Sequence, residues 1–87
     1  MMNKVFTDIA WEDYLFWQST DKKMLQKINE LLKDIVRHGN EGIGKPERLK
    51  YELEGFWSRR INSGHRLIYK IEDNNIYIVQ CRGHYHL

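Results

Sequence analysis

The most regular hydrophobic pattern in the chain lies in its second quarter. Met24, Ile28, Leu31 and Ile35 recur at intervals of four, three and four residues, with further apolar residues beside them. This spacing aligns the four side chains along one side of a helix. The pattern therefore predicts an amphipathic α-helix that ends before Gly39.

An aromatic segment upstream of this stripe predicts a first helix, from Ile9 to about Ser19. Thr7 is suited to cap it, because a threonine hydroxyl accepts a hydrogen bond from a free N–H group of the first turn. Thr20 or Asp21 is expected to cap the second helix. Only a residue or two then joins the helices, so we expect an antiparallel helical hairpin.

The second half of the chain changes to a pattern typical of β-strands. A short strand is predicted early in this half, and three longer strands follow, separated by turns rich in Asn, Ser, Asp and Gly. The predicted strands are Leu49–Leu53, Phe56–Asn62, His65–Glu72 and Ile76–Arg82, with Asn3–Phe6 as an edge strand. The expected fold is α+β: one domain, residues 1–87, with two N-terminal antiparallel helices on one face of a small, mainly antiparallel sheet of four to five strands.

The register of the last hairpin follows from sorting its side chains, because a slip of one residue exchanges the two faces of a strand. A three-residue loop, Asp73-Asn74-Asn75, pairs Leu67 with Cys81, Tyr69 with Val79 and Ile71 with Tyr77. These pairs form one nearly apolar face that the helices can cover. A two-residue loop sorts polar and apolar residues less well, so we expect the three-residue loop.

The same register gathers positive charge on the other face of the sheet. Arg60 is placed across from Arg66, Arg66 across from Arg82, and His84 one step further on. Neighbouring arginines repel one another unless an anion lies between them, and the guanidinium group matches the oxygens of a phosphodiester. Glu47 reaches this face from the adjoining loop.

Charge is unevenly distributed, which supports an anionic or acidic partner for the second half. Residues 1–44 carry a net charge of −1, whereas residues 45–87 carry +3. A single cysteine, Cys81, cannot form an internal disulfide, and no stretch resembles a secretion signal or a membrane span. We therefore expect a cytoplasmic protein without a membrane partner.

A carboxylate, a histidine and several cations are the groups needed to cleave RNA without a metal or another cofactor. The base takes the proton of the ribose 2′-OH, the cations stabilise the charge on phosphorus, and the acid protonates the leaving 5′ oxygen. Two simpler interpretations compete with this one. Exposed arginines and glutamates are often only a solvated surface, and His84 with His86 is a weak metal motif.

Several aromatic and sulfur-containing side chains are predicted to belong to the core. Trp11 and Trp17 fit the buried sides of the first helix, and Trp57 shares a face with Tyr69. Cys81 is predicted to be a small buried residue. His65 is predicted on the helix-facing side, as a packing residue next to the turn.

Longer motifs resemble the YoeB toxins of bacterial toxin–antitoxin pairs, within the RelE/ParE superfamily. The resemblance rests on runs along nearly the whole chain: WEDYLFWQ from Trp11, TDK from Thr20, KINEL from Lys27, GKPE from Gly44, GFWSRRI from Gly55, HRLIY from His65, and Cys81-Arg82 with His84-Tyr85 at the end. It implies a RelE-like fold and an endoribonuclease that cuts mRNA in the ribosomal A site, leaving a 2′,3′-cyclic phosphate.

The resemblance also implies roles for individual residues and partners for the protein. Glu47 would be the general base, His84 the general acid and Arg66 the group that stabilises the transition state. Arg60 and Lys50 would hold phosphate, and Tyr85 would shape the site. A YefM-like antitoxin would neutralise the toxin, operator DNA would be bound only through the toxin–antitoxin complex, and toxin dimers also occur in the family.

Two departures from the family pattern leave alternatives open. His86 and Leu87 follow the tyrosine that usually ends the family's chains, so His86 competes with His84 as the acid. Gly83 stands where a bulky aromatic residue is common, which would loosen the tail. Two other functions remain as alternatives: a growth inhibitor that binds the ribosome or nucleic acid without cleaving it, and a ParE-like toxin.

Overall fold

A computed structural model of the chain describes residues 2–84 and contains two helices and five strands. In chain order, the elements are β1 (Asn3–Phe6), α1 (Asp8–Thr20), α2 (Lys22–His38), β2 (Glu47–Arg48), a 3₁₀ turn (Tyr51–Leu53), β3 (Trp57–Arg60), β4 (Arg66–Glu72) and β5 (Asn75–Gln80). The strands form one sheet in the order β1-β5-β4-β3-β2. Only β1 and β5 run parallel, and the other neighbours are antiparallel. The predicted α+β fold is confirmed.

Side-chain caps define the helical hairpin as the sequence predicts. The Oγ1 atom of Thr7 accepts from the backbone N–H of Ala10 at 3.1 Å. Asp21 caps α2 through Oδ1, which accepts from the N–H groups of Lys23 at 3.1 Å and Met24 at 3.3 Å. Asp21 is the single residue between the helices, so a tight antiparallel hairpin results.

The core lies between the helices and one face of the sheet. All four residues of the predicted α2 stripe are buried in it, together with Trp17. The sheet contributes Leu67, Tyr69, Ile76 and Ile78. Burial of this apolar surface is the main force that holds the helices on the sheet.

Trp11 does not join the core, and its predicted burial is wrong. Its side chain is 47% exposed and stacks on Tyr14 with ring centroids 5.8 Å apart. The buried residues of α1 are Ala10, Asp13 and Trp17, spaced by three and four positions. Trp11 lies one residue beyond Ala10, which turns its side chain about 100° away from that buried line.

The last hairpin has a two-residue loop, so the predicted three-residue loop is wrong. Glu72 pairs with Asn75, and Asp73 and Asn74 both adopt positive φ angles, of 51° and 63°. Asn and Asp tolerate this left-handed conformation better than most residues do, and it matches the twist of the strands.

A β-bulge restores the predicted register beyond the middle of this hairpin. Tyr69 pairs with Ile78 and the preceding Ile68 pairs with Gln80, so Val79 is an extra residue in β5. The two-residue turn places Ile76 and Ile78 toward the helices, and the bulge after Ile78 makes Gln80 face away from them. Ile78 and Ile76 therefore form the core in place of the predicted Val79 and Tyr77. Tyr77 lies on the other face, beneath the ammonium group of Lys70.

The predicted strand Leu49–Leu53 is also wrong. Pairing with β3 is confined to Glu47 and Arg48, and the chain then forms the 3₁₀ turn. Tyr51 has a φ of 58°, which a β-strand does not accommodate. Within residues 2–84, no helix is long and apolar enough to cross a membrane.

Candidate active site

A polar cleft of about 280 Å³ opens on the sheet face opposite the helices. Its walls come from the loop before β2 and from β2, β3 and β4. The lining residues are Lys45, Pro46, Glu47, Ser58, Arg60 and Arg66. Three of the predicted site residues, Glu47, Arg60 and Arg66, therefore meet in one cavity.

Strand pairing sets the positions of these three side chains. Glu47 lies directly across from Ser58, and Arg60 lies across from Arg66, as predicted. Ser58 and Arg60 are two residues apart on β3, so they share a face of the sheet. The carboxylate and both guanidinium groups are carried to one side by regular backbone geometry.

Within the described residues, 2–84, the charged groups of Glu47 and Arg60 have no partners. Among residues 2–84, neither side chain makes an ion pair or a hydrogen bond, and both residues are exposed. Arg66 is partly restrained, since Nη1 donates to the carbonyl oxygens of Asn62 at 2.8 Å and His65 at 3.1 Å. The cleft thus offers a carboxylate and a cation whose hydrogen-bonding groups are available to a ligand.

A buried arginine that the sequence analysis did not single out supports the loop in front of the cleft. Arg59 is fully buried, and Nη1 lies 2.6 Å from Oδ2 of Asp34 on α2. Its guanidinium group also donates to the carbonyl oxygens of Gly39, Glu41 and Ile43 at 2.7 to 2.9 Å. Arg59 therefore fixes the loop that leads into Lys45 and Glu47.

Electrostatics and hydrogen bonding favour the ionised form of Asp34. The hydrogen bond from Arg59 holds the pKa of the Asp34 carboxyl below its usual value, against the opposing effect of burial. Arg59 Nε also donates to the hydroxyl of Tyr69 at 3.1 Å, and burial raises the pKa of that hydroxyl. Strand alternation could have revealed this arginine: if Arg60 faces the cleft, Arg59 must face the helices and requires an acidic partner there.

The backbone after β5 returns to the Arg66 side of the cleft. The N–H of Arg66 donates to the carbonyl of Gly83 at 3.0 Å, and the carbonyl of His84 accepts from Gln80 Nε2 at 2.8 Å. The predicted acid His84 is therefore one residue from a direct backbone contact with Arg66. Tyr85 and the competing His86 lie outside the described residues.

Two of the predicted phosphate-binding residues do not line the cleft. Lys50 is exposed and stands immediately before the 3₁₀ turn, outside the cavity walls. The placement of Arg82 on the open face is wrong. Its guanidinium carbon lies 4.1 Å from the centroid of the Phe16 ring, and Nε lies 3.6 Å from Oδ1 of Asp13, both on α1. β5 ends at Gln80, so strand alternation no longer controls the direction of Arg82.

Other sequence predictions concern residues that support the site. Trp57 pairs with Tyr69 and packs against the core, as predicted. Cys81 is buried, and burial raises the pKa of its thiol to about 12. His65 does lie toward the helices, with its ring 4.8 Å from that of Trp17. Within residues 2–84, no group of three or more His, Cys, Asp or Glu side chains is arranged to hold a metal ion.

A larger cavity, of about 460 Å³, lies on the other side of the molecule between β1 and the helices. Its walls are mainly apolar, with Phe6, Trp11 and Tyr14 among them, and its charged residues are lysines. It has no carboxylate or histidine for proton transfer. The smaller polar cleft is therefore the better candidate active site.

Comparison with known proteins identifies the family. The family model for the YoeB-like toxin of bacterial type II toxin–antitoxin systems matches residues 6–85. The chain belongs to the YoeB toxin family. Toxin YoeB of Escherichia coli strain K12 is 52% identical over 84 residues, which cover 97% of this chain and 100% of the relative. Toxin YoeB of Synechocystis is 55% identical over 97% of this chain and 98% of that protein.

Solved structures agree with this family assignment. A YoeB-YefM heterotetramer from Staphylococcus aureus superposes with a TM-score of 0.91 and 56% identity, covering 98% of this chain and 99% of that one. A YoeB dimer from the same organism gives the same TM-score and identity over 97% and 98% of the two chains. The fold is therefore that of a YoeB-family protein.

Proposed function

We propose that this YoeB-family protein is an endoribonuclease that cleaves mRNA in the A site of the translating ribosome. The observation that carries the proposal is the Glu47 carboxylate, which has no partner among residues 2–84 and lies in one cleft with Arg60 and Arg66. A cleft that only bound RNA would need the cations and would gain nothing from a free carboxylate, which repels phosphate. A base placed among phosphate-binding groups is the arrangement that cleavage requires.

The proposed reaction uses the RNA's own hydroxyl as the nucleophile. Glu47 takes the proton of the ribose 2′-OH, and the 2′ oxygen forms a bond to the adjacent phosphorus atom. Arg66 and Arg60 stabilise the negative charge that accumulates on the phosphoryl oxygens. The bond from phosphorus to the 5′ oxygen breaks as His84 donates its proton to that oxygen. The products are a 2′,3′-cyclic phosphate and a free 5′-hydroxyl.

Two further residues are assigned roles in binding the mRNA substrate. Tyr85 shapes the site beside the acid, and Lys50 binds phosphate of the mRNA outside the cleft walls. A phosphate-binding role for Arg82 stays a prediction that its contacts with α1 do not support. The cations of β3 and β4 therefore make the main contacts to the scissile phosphate.

The proposed partner is a YefM-like antitoxin that blocks this cleft and represses the operon as a complex. The support is the YoeB-YefM heterotetramer of Staphylococcus aureus, whose YoeB chain is 56% identical to this one. The YoeB dimer from that organism supports a homodimer in the absence of antitoxin. Adding a YefM-like protein in equimolar amount should abolish cleavage.

The test is cleavage of a defined mRNA in a reconstituted translating system, with the 3′ ends mapped at nucleotide resolution. Wild-type protein should produce fragments that end at A-site codons and carry a cyclic phosphate. Glu47→Gln keeps the shape of the side chain but cannot take the proton, so cleavage should slow by about 10²-fold or more. Glu52→Gln removes an exposed carboxylate outside the cleft and is the matched control.

Two further outcomes separate the remaining alternatives. Arrested ribosomes that carry intact mRNA would refute the nuclease and favour a non-catalytic binder. If mRNA cleavage is slow in His86→Gln and normal in His84→Gln, the general acid is His86 and not His84.

A further inference from the structure

The tail that carries the proposed acid is held in place by side chains, although it lies outside the sheet. Asp13 Oδ2 accepts from the N–H of Cys81 at 3.0 Å, and Trp17 Nε1 donates to the carbonyl of the same residue at 2.9 Å. Gln80 Nε2 lies 2.8 to 3.1 Å from the carbonyl oxygens of Arg82, Gly83 and His84. Specific hydrogen bonds therefore replace strand pairing after residue 80.

The shortest of these contacts involves His65. Its Nδ1 atom accepts from the N–H of Gly83 at 2.7 Å. An imidazole nitrogen can accept only when it carries no proton, so this contact requires the ring form that has its proton on Nε2. The ring meets Trp17 edge to face, at 4.8 Å between centroids and 83° between planes. The acceptor and the packing contact together fix the orientation of the ring.

His65 also stands at the junction between the cleft and the tail. It directly precedes Arg66, whose N–H donates to the carbonyl of Gly83 while His65 accepts from the N–H of that residue. Both backbone groups of Gly83 are thus bound by consecutive residues at the start of β4. Gly83 has a φ of 82°, a conformation that glycine adopts without strain, so these contacts restrain a residue with unusual backbone freedom.

We propose that His65 is a positioning residue, which holds the backbone of Gly83 and thereby sets the position of the next residue, the proposed acid His84, relative to Arg66. This inference rests on the proposed nuclease function. The packing interpretation from the sequence is incomplete, because any ring of similar size would fill the space against Trp17. Only a nitrogen or oxygen acceptor can bind the N–H of Gly83.

Two substitutions test the aromatic ring of His65 and its hydrogen-bond acceptor separately. His65→Phe keeps an aromatic ring against Trp17 but has no acceptor, whereas His65→Asn keeps an acceptor near the Nδ1 position and loses the ring. Hydrogen exchange of the Gly83 amide, followed by NMR on the free protein, reports the contact without reference to activity. We expect protection of this amide in wild type and in His65→Asn, and its loss in His65→Phe.

Single-turnover cleavage on programmed ribosomes then tests the role. His65→Phe should lower the cleavage rate about tenfold, which corresponds to one hydrogen bond of ordinary strength. Its binding to the ribosome should be unchanged, because the cations of the cleft remain. His65→Asn should recover most of the rate even if its melting temperature is lower.

Combining His65→Phe with His84→Gln tests whether His65 acts through His84. If His65 positions the acid, His65→Phe should cause no further loss once the acid has been removed. An equal tenfold loss in both backgrounds would overturn the inference, as would a protected Gly83 amide in His65→Phe. A wild-type protein that does not cleave mRNA would refute the proposed function, and the Gly83 measurement would still decide whether His65 holds the tail.

Discussion

Replacing Arg59 with methionine tests whether its buried guanidinium group holds the loop that leads into Lys45 and Glu47. Methionine fills much of the same apolar space but removes hydrogen bonds to Asp34, to Tyr69 and to three loop carbonyls. Adding these bonds individually would overestimate the loss, because water can reach the exposed loop and the Asp34 side chain, which is 14% exposed. Breaking a buried ion pair on one side costs about 3–5 kcal/mol, and we expect a loss in that range.

This loss is large compared with the stability of a chain of 87 residues, which is about 4–13 kcal/mol by ordinary scaling. Urea unfolding followed by tryptophan fluorescence would measure it. The midpoint should fall while the slope stays unchanged. A variant without a folded baseline in the absence of urea would agree with the upper end of the range.

Arg48→Met is the matched control for this prediction. Arg48 is exposed and lies over the Trp57 ring at 5.6 Å, a contact that contributes about 0.5–1 kcal/mol. Arg59→Lys should give an intermediate result, since a single ammonium group can pair with Asp34 but cannot reach all three carbonyls. A loss below about 1 kcal/mol in Arg59→Met would contradict the assigned role.

Three further predictions concern stability and reactivity. Gly44→Ala should destabilise the protein by about 1–3 kcal/mol in the same urea assay. The new Cβ would lie 2.7 Å from Leu31 Cδ2, and the residue would keep a φ of 81°. Gly55→Ala is the control for backbone strain alone, because Gly55 has a φ of 93° and open space around it. The hydrogen bond from Arg59 lowers the pKa of the Asp34 carboxyl below its ordinary value of 3.8, so the ionised carboxylate stabilises the fold above that pH. This contribution is lost as the pH falls through the folded-state pKa, and Asp34→Asn should flatten this part of the pH–stability curve. The Cys81 thiol, with a pKa raised to about 12, should resist alkylation at neutral pH until the protein unfolds, and rapid labelling of native protein would contradict its burial.

Local patterns explain why the two helices and the pairing of β3 with β4 were predictable. The spacing of the α2 stripe reflects the helical repeat directly, and the cap at Asp21 follows from its side-chain chemistry. The pairing of Arg60 with Arg66 follows from a tight turn and from period-two alternation. Each of these features depends on residues close together in the sequence.

The hairpin of β4 and β5 was harder to predict because its two-residue turn and its β-bulge have opposite effects on the strand register. The apolar residues near Cys81 indicate the register beyond the bulge, whereas the Asp73-Asn74 turn sets the register before it. A single uniform register cannot satisfy both, and a bulge has no reliable signature in one sequence. The position of Arg82 was missed for a related reason, since alternation does not apply after the strand has ended.

The site itself was only partly predictable. Glu47, Arg60 and Arg66 lie on neighbouring strands, and strand geometry was enough to bring them together. Arg59 acts through hydrogen bonds to Asp34 on α2 and to loop carbonyls, and His65 acts through one hydrogen bond to the backbone of Gly83. Such contacts depend on the tertiary arrangement, which composition and spacing do not specify.

The extra residue in β5 also restricts how this chain can change in length. Removal of Val79 alone would leave a regular strand in which Ile76, Ile78 and Cys81 still face the helices and Gln80 still faces away. Removal of one residue elsewhere in β5 would also eliminate the bulge, but it would move the residues between the deletion and Val79 to the opposite face. A single deletion in this strand should therefore be tolerated at Val79, whereas deletion of Tyr77 should turn Ile78 out of the core.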